Sequence, residues 1–160
     1  MKPIIFTLFS AALLLLTACN PNRIFNVNNS DFPNHRWMQN APILFSVPIE
    51  DTVSEHKVYL ALRHVYGFQF DAMNIRLKIT DPSGKSATKD YQLQIKDGED
   101  AYLSDCSGDI CDLEVMIEDH VKFTIAGDWS FEVANNMDIT YVPNVMELGL
   151  IIDKYPELNE

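Results

Sequence analysis

The sequence predicts an all-β protein, a single antiparallel β-sandwich or jelly-roll-like domain. Apolar and polar residues alternate with a period of two in several short runs, which places one face of each predicted strand in a core. These runs recur about every dozen residues with turn residues between them, as in sandwiches. No stretch longer than about ten residues has the 3.6-residue period of an amphipathic helix. Residues 131–136 and 145–148 are the only segments in which a short helix is expected to be able to form.

The N-terminus has the pattern of a bacterial lipoprotein signal. Lys2 precedes a short apolar run over residues 4–16, and residues 16–18, Leu-Thr-Ala, lead into Cys19. The run is shorter than the roughly 20 apolar residues of a membrane-spanning helix, so it indicates a secretory signal. We expect residues 1–18 to be removed and the thiol of Cys19 to carry a lipid that anchors the chain to a membrane. An ordinary signal peptide with a chance cysteine would need a small-x-small cleavage site, which Leu-Thr-Ala matches poorly.

Residues 19–36 are predicted to be a lipidated, asparagine-rich tether, because they show a period of neither 2 nor 3.6 residues. Asn20 stands where an aspartate tends to retain lipoproteins in the inner membrane of diderm bacteria, so the outer membrane is favoured. No acidic cluster follows Cys19, whereas surface-export signals of the Bacteroidetes type have one, so a periplasm-facing domain is expected. Trp37 is expected to plug the edge of the fold, which makes residues 37–160 the β-sandwich domain.

The composition limits the classes of partner. The chain has 160 residues, with 12 basic and 23 acidic side chains and a net charge of −11. The part after residue 18 has the usual size of one domain. A surface this acidic repels phosphate backbones and anionic lipid headgroups. Nucleic acid is therefore not expected as a partner. The lipid, rather than a basic patch, is expected to hold the chain to its membrane.

The first half of the domain contains four alternating runs. They cover residues 43–49, 56–64, 73–80 and 88–95. Pro48 in the first run has no backbone N–H, which favours an edge strand or a bulge. Between the last two runs, residues 81–84, Asp-Pro-Ser-Gly, fit a type I turn. These two runs are therefore predicted to form a hairpin.

The second half contains four more runs. They cover residues 113–117, 121–125, 129–133 and 145–153, and the first two are predicted as separate strands. Gly127 and Asp128 supply the turn before the third run. The last run is almost continuously apolar. It fits either an alternating strand or a strand that is covered on both faces.

Cys106 and Cys111 are the candidates for a disulfide. They lie five positions apart in a chain that is expected in an oxidising compartment, so we predict a bridge that closes a small surface loop. A zinc site would need two more Cys or His ligands, and His120 is the candidate nearest in sequence. The loop is rich in aspartate, but Ile110 and Met116 occupy the glycine and bidentate glutamate positions of an EF-hand. A solvated acidic loop is therefore expected, without a metal.

No motif for catalysis or for a cofactor occurs. The sequence lacks a nucleophile elbow, a phosphate loop, a dinucleotide fingerprint and a His-Glu-x-x-His helix. A glycosidase needs only two carboxylates that face one cleft, but an acidic chain always permits such a pair on paper. The four histidines, which match no metal-binding spacing and are expected in exposed or strand-edge positions, are His35, His56, His64 and His120. We therefore predict a protein that is not an enzyme and has no cofactor.

A row of exposed aromatic side chains would favour a different function, a glycan-binding lipoprotein of a nutrient-uptake system. The candidates are Tyr59, Tyr66, Phe68, Phe70, Trp129 and Tyr141. Core packing accounts for at least half of them without a ligand.

Two blocks of the sequence match a known family pattern. The first contains Trp37, Phe45, Ile-Glu-Asp at 49–51, Tyr-Leu-Ala-Leu-Arg-His at 59–64 and Asn-Ile-Arg-Leu at 74–77. The second contains Phe-Glu-Val-Ala-Asn-Asn-Met at 131–137, Val-Pro-Asn-Val at 142–145 and Leu-Gly-Leu-Ile-Ile at 148–152. With these blocks, the chain resembles the gliding-motility lipoprotein H (GldH) family of Bacteroidetes. The chain departs from the family in its longer segment 66–73, and in the cysteine pair within 101–112 where the family tends to have a Gly/Trp-rich turn.

The resemblance implies a non-enzymatic envelope lipoprotein, an accessory or scaffold component of gliding motility and of the protein secretion machinery linked to it. Its expected partners are envelope proteins of that apparatus, reached from a membrane anchor at Cys19. Arg63 and Asn74 recur in the family pattern. For these two residues, a buried ion pair or a turn hydrogen bond is expected rather than a partner contact.

Overall fold

The computed structural model describes residues 20–156, so the predicted signal peptide and Cys19 lie outside it. The strands of this part of the chain are β1 (Arg23–Asn29), β2 (Arg36–Met38), β3 (Ile43–Ile49), β4 (Glu55–Val65), β5 (Ala72–Thr80), β6 (Ser86–Gln94), β7 (Asp105–Ser107), β8 (Ile110–Lys122), β9 (Gly127–Asn135), β10 (Tyr141–Pro143) and β11 (Val145–Lys154). A 3₁₀ turn covers Pro33–His35. The predicted all-β antiparallel fold is confirmed, and both candidate helical segments are strands.

Within the described residues, the strands form two main sheets that face each other. The five-stranded sheet has the order β1-β11-β4-β8-β7, and the four-stranded sheet has the order β3-β9-β5-β6. A small pair, β10 and β2, lies beside them. Pro48 is in β3, an outer strand of the four-stranded sheet, as its missing N–H predicted.

The core lies between the two sheets and follows the period-two pattern. On β4, Leu60 and Leu62 point inwards and are buried, and Leu150 of β11 lies beside Leu60. Phe131 and Leu77 approach the same core from the four-stranded sheet. Burying each such side chain stabilises the fold by about 1.5–3 kcal/mol. This alternation is why the runs form strands in these positions.

The predicted hairpin between β5 and β6 is confirmed. Thr80 pairs with Ser86 at its closed end, and the Asp81 carboxylate accepts hydrogen bonds from the backbone N–H groups of Ser83 and Lys85 at 2.9 and 3.0 Å. Gly84 adopts a positive φ of 89°, which a residue without Cβ adopts without strain. The turn residues therefore determine the register of this hairpin.

The tether predicted over residues 19–36 is wrong for most of its length. Residues 23–29 form β1, which pairs with β11 from Phe25, opposite Ile152, to Asn29, opposite Leu148. Phe32 is buried and makes an edge contact with Trp37, with ring centroids 6.0 Å apart. The described fold therefore begins at β1 rather than at Trp37, because β11 supplies the backbone partners that make this asparagine-rich segment a strand.

The prediction of two strands over 113–117 and 121–125 is also wrong. One strand, β8, runs through the first segment and past Val121, and its pairing with β4 shifts in register on either side of Val58. Such a bulge lets a single strand continue where its alternation breaks. Phe123, just after β8, is buried in the core.

Candidate functional site

A groove lies on the outer face of the five-stranded sheet, and its floor consists of small residues. Ala61 of β4 and Gly149 of β11 are direct neighbours, and Asn28 of β1 pairs with Gly149 on the other side. A Cβ atom on Gly149 would lie 2.2 Å from Asn28 Oδ1 and 3.1 Å from Ala61 Cβ. Asn28 therefore folds over the glycine. The groove has a volume of about 250 Å³.

An arginine network closes one end of the groove. The Arg63 guanidinium donates two hydrogen bonds to Asp112, at 2.7 and 3.1 Å, and one to Glu147 Oε1 at 3.2 Å. The hydrogen bond to Asp112 is the main reason that the pKa of Arg63 lies above its ordinary value. The ion pair expected at Arg63 is present, but its side chain is 38 % exposed rather than buried. Asn74, the other residue of the family pattern, accepts a hydrogen bond from Gln92 at 3.3 Å.

A second arginine closes the opposite end. Arg23 donates to Asp153 at 2.9 Å and lies 3.4 Å from Glu114. Each arginine of the groove is thus held between two carboxylates, so the lining keeps an excess of negative charge. The lining contains no histidine, serine or cysteine. Its carboxylates are paired with the two arginines, and the groove can bind polar groups.

The two predicted disulfide residues lie opposite each other on β7 and β8. Cys106 pairs with Cys111, and their sulfur atoms are bonded at 2.03 Å. Gly108, in the turn between them, has a positive φ of 62°. The backbone N–H of Tyr66 donates to Asp109 O at 2.8 Å, which joins this hairpin to the segment after β4.

The structure places His64 and His56 inside the fold on β4, an inner strand of its sheet, so the exposed or strand-edge positions expected for them are wrong. Both are fully buried and continue the inward face of β4 beyond its apolar centre. Burial lowers the pKa of each ring below the ordinary value of histidine. This period-two position was the sequence signal that could have located them. His120, in contrast, is exposed and lies 2.6 Å from Glu55.

His64 contacts a hydroxyl group in a way that resembles a nucleophile and its base. Its Nε2 lies 2.8 Å from Ser104 Oγ, and its Nδ1 lies 3.0 Å from Val65 O. The ring packs between Phe68 and Tyr102, with centroids 5.0 and 5.6 Å away. A general base has to reach the substrate. This ring is fully buried and does not reach the surface. Its hydrogen bond with Ser104 therefore orders the loop before β7.

The acidic loop contains no metal site among the residues that the structure describes, since no three ligating side chains converge there. Asp97 Oδ1 instead accepts hydrogen bonds from the backbone N–H groups of Glu99 and Ala101, at 2.9 and 3.0 Å. Lys96 lies 2.8 Å from Asp100. The aspartates of this segment therefore stabilise turns.

The aromatic residues do not form an exposed platform. Of the six candidates, Phe68 is buried, Tyr66 is 58 % exposed, and the others are half-buried. Tyr66 packs against Tyr102 with ring centroids 5.2 Å apart. Trp129 makes an edge contact with Phe123 of the core. Most of these rings thus stabilise the fold.

The region between residues 20 and 156 has no helix of the length and hydropathy needed to span a membrane.

Comparison with solved structures gives weak similarities. The carbohydrate-binding module CBM35 from Cellvibrio japonicus Abf62 is 14 % identical, with a TM-score of 0.34 over 83 % of this chain and 90 % of that chain. Eiger TNF from S. frugiperda is 11 % identical, with a TM-score of 0.33 over 86 % of this chain and 96 % of that chain. Similarity at this level carries no conclusion about function.

Comparison of sequences gives a clear family. A curated relative, the gliding motility lipoprotein GldH of Flavobacterium johnsoniae, is 25 % identical over 114 residues, which cover 70 % of this chain and 69 % of the relative. The model of the GldH lipoprotein family matches residues 24–152, from β1 into β11. The match includes most of both main sheets and most of the outer groove, with Arg23 just before it. The chain therefore belongs to the GldH lipoprotein family.

Proposed function

We propose that this chain is a lipid-anchored, non-enzymatic envelope protein that acts as an accessory or scaffold component of gliding motility and of the linked protein secretion machinery. The family match over residues 24–152 carries this proposal, together with the name of the Flavobacterium relative. The groove supports the non-enzymatic part, because its charged groups bind one another.

The proposed anchor is a lipid on Cys19 in the outer membrane, with the domain facing the periplasm. β1 begins at Arg23, and the N–H of Arg23 donates to Asn20 O at 3.1 Å, so this short connection is turned rather than extended. Even a fully extended chain of four residues spans at most about 14 Å. The lipid would therefore hold the sandwich directly against the membrane.

Replacement of the chromosomal gene by a Cys19→Ala version tests the anchor and its importance together. We expect the variant to leave the detergent phase, to lose labelling by a palmitate analogue, and to lose colony spreading or protein secretion. Cys106→Ser is the matched cysteine control and should keep the label. A soluble Cys19→Ala protein that restores both processes fully would contradict an anchored role.

In-cell crosslinking of a tagged wild-type chain, followed by mass spectrometry, tests the assignment of partners. Recovery of motility or secretion components is the expected result. Recovery of glycan transporters would instead favour the nutrient-uptake alternative, and an unaffected deletion strain would contradict the proposed function itself.

A further inference from the structure

The outer edge of β1 has no partner strand among residues 20–156, because β1 ends the five-stranded sheet. We propose that this edge binds an extended segment of another envelope protein, which adds to the sheet as a sixth strand. The backbone of an edge strand presents unpaired N–H and C=O groups, and an extended chain is the ligand that satisfies them. The location of this edge near the membrane rests on the proposed function, which includes lipidation of Cys19.

The other sheet edges carry features that oppose strand addition. β3 contains Pro48, and β7 has only three residues and is bonded to its neighbour through Cys106. β7 covers β8 only at residues 110–112, and the uncovered part of β8 carries the charged residues Glu114, Glu118 and Asp119. On β6, Lys89 and Tyr91 reach across to Glu118 of the opposite sheet. Natural sheets block their edges by such means, with proline, short strands and charged side chains.

β1 lacks these features over most of its length. From residue 24 to residue 29 it has no charged residue and no proline. A register irregularity is confined to its start, between Arg23 and Phe25, and the pairing with β11 is regular from there to Asn29. The regular part is long enough for a ladder of alternating hydrogen bonds. β1 is therefore open to pairing where the other edges are protected.

Two apolar side chains beside this edge, Ile24 and Val27, are exposed. Val27 pairs with Leu150, which is fully buried, yet Val27 itself is 46 % exposed. Ile24 is 45 % exposed. The difference between Val27 and Leu150 arises because no further strand covers the edge. An added strand would remove this apolar surface from water, which is favourable by roughly 25 cal/mol for each Å² buried.

The pattern of the edge defines the chemistry of the incoming segment. Its inner face would carry apolar side chains beside Val27, and its outer face would carry polar side chains beside Asn26 and Asn28, which line the groove. The chain has a net charge of −11, so a neutral or basic segment is favoured. A second copy of this chain would bring the same charge and be repelled.

A photo-crosslinking amino acid at Val27 of the full-length chain, in cells, tests this strand site. We expect a crosslink to another envelope protein, within a segment whose residues alternate between apolar and polar. The same amino acid at Thr88, an exposed residue on β6, is the matched control and should not form that product. A crosslink from Val27 to a second copy of this chain, or equal capture from both positions, would overturn the inference.

Edge variants provide a second readout. Val27→Lys and Ile24→Lys each place a charge beside the edge, and we expect each to abolish the crosslinked product from a probe at Asn29. Thr88→Lys should leave it intact. Thermal unfolding and detergent partitioning show whether the variants fold and stay anchored, and Ile24→Lys serves if Val27→Lys unfolds. Unchanged crosslinking in a folded variant overturns the strand site, whereas a deletion strain with normal motility and secretion would contradict the proposed function whatever the edge variants show.

Discussion

The two flanks of the sandwich, where the edges of the sheets meet, are built differently. On the flank of β6 and β8, Lys89 Nζ lies 2.6 Å from Glu118 and the Tyr91 hydroxyl donates to the same carboxylate, so polar side chains join the sheets. On the flank of β1 and β3, which contact each other, Leu44 is 65 % exposed and Val27 is half exposed. The flank of β6 and β8 is thus closed by polar side chains that bind each other. The flank of β1 and β3 leaves apolar side chains and the backbone groups of β1 exposed.

The flank of β1 and β3 exists only if β1 is part of the fold, and the variant Phe25→Ala tests this. Phe25 packs against the core, so we expect its loss to lower the free energy of unfolding by about 3 kcal/mol, the lower end for a large aromatic residue. Denaturant unfolding of the purified chain measures this. Ile24→Ala, on the same strand but half exposed, should change little. If Phe25→Ala leaves stability unaltered, residues 23–29 form a tether after all.

The disulfide beside β8 should give the next largest effect on the protected flank. Replacing Cys106 and Cys111 together by serine removes a crosslink between residues five apart, which is worth about 2 kcal/mol in the chain-entropy model. Wild-type protein treated with a reductant should show a similar loss. Mass spectrometry after alkylation checks the bond directly, and thiols that alkylate without reduction would contradict it.

The buried histidines make the core between the flanks sensitive to acid. Because burial lowers the pKa of His56 and His64 in the folded state, the unfolded chain binds protons more readily below about pH 6.5. Stability should therefore be intact above that pH and fall below it, by at most about 1.4 kcal/mol per pH unit for each ring. Unfolding measured from pH 7.5 to 5 tests this. His56→Leu should flatten the profile, and an unchanged slope in that variant would rule out His56 as a source.

The bridge at Glu118 should give the smallest of these effects. Burial of this carboxyl opposes its ionisation, but hydrogen bonds from Lys89 and Tyr91 outweigh burial and hold its pKa below the ordinary value. Its contribution is therefore present above about pH 4.3 and is lost as the pH falls through the lowered pKa. Glu118→Gln should destabilise the fold by about 1 kcal/mol at pH 7 and less at pH 3.5.

Arg76→Gln provides the control for the Glu118 variant. It breaks an exposed pair, in which Arg76 lies 2.7 Å from Asp90 on the outside of the hairpin. Exposed pairs contribute little to stability, so no measurable shift in the unfolding midpoint is expected. Equal losses in both variants would mean that the bridge between the sheets has no special role.

The sequence predicted most strands but, apart from the hairpin of β5 and β6, not their partners. Period-two alternation located β3 to β6, and the same period, extended to both ends of β4, would have located His56 and His64 in the core. β1 was missed because its asparagines disfavour strands locally, and only pairing with β11 overcomes that preference. The break after Ile117 was interpreted as a turn, although a bulge carries β8 through it.

The groove was beyond sequence reasoning for a related reason. Arg63 and Asp112 are 49 residues apart, and Arg63 and Glu147 are 84 apart. They meet only because β4 lies between β8 and β11 in one particular register. Alternation shows which face a side chain occupies, but it does not show which distant strand lies beside it.

The antiparallel pairing of β1 with β11 also has a mechanical consequence. A lipid at Cys19 would pull on β1 from its first residue, along the axis of the strand. The hydrogen bonds between β1 and β11 run perpendicular to that axis. When the rest of the sandwich is held from its far end, this force loads all of those bonds in shear at once, rather than peeling them apart one by one. β1, the first strand of the described fold, would thus transmit force between a lipid anchor and the sandwich.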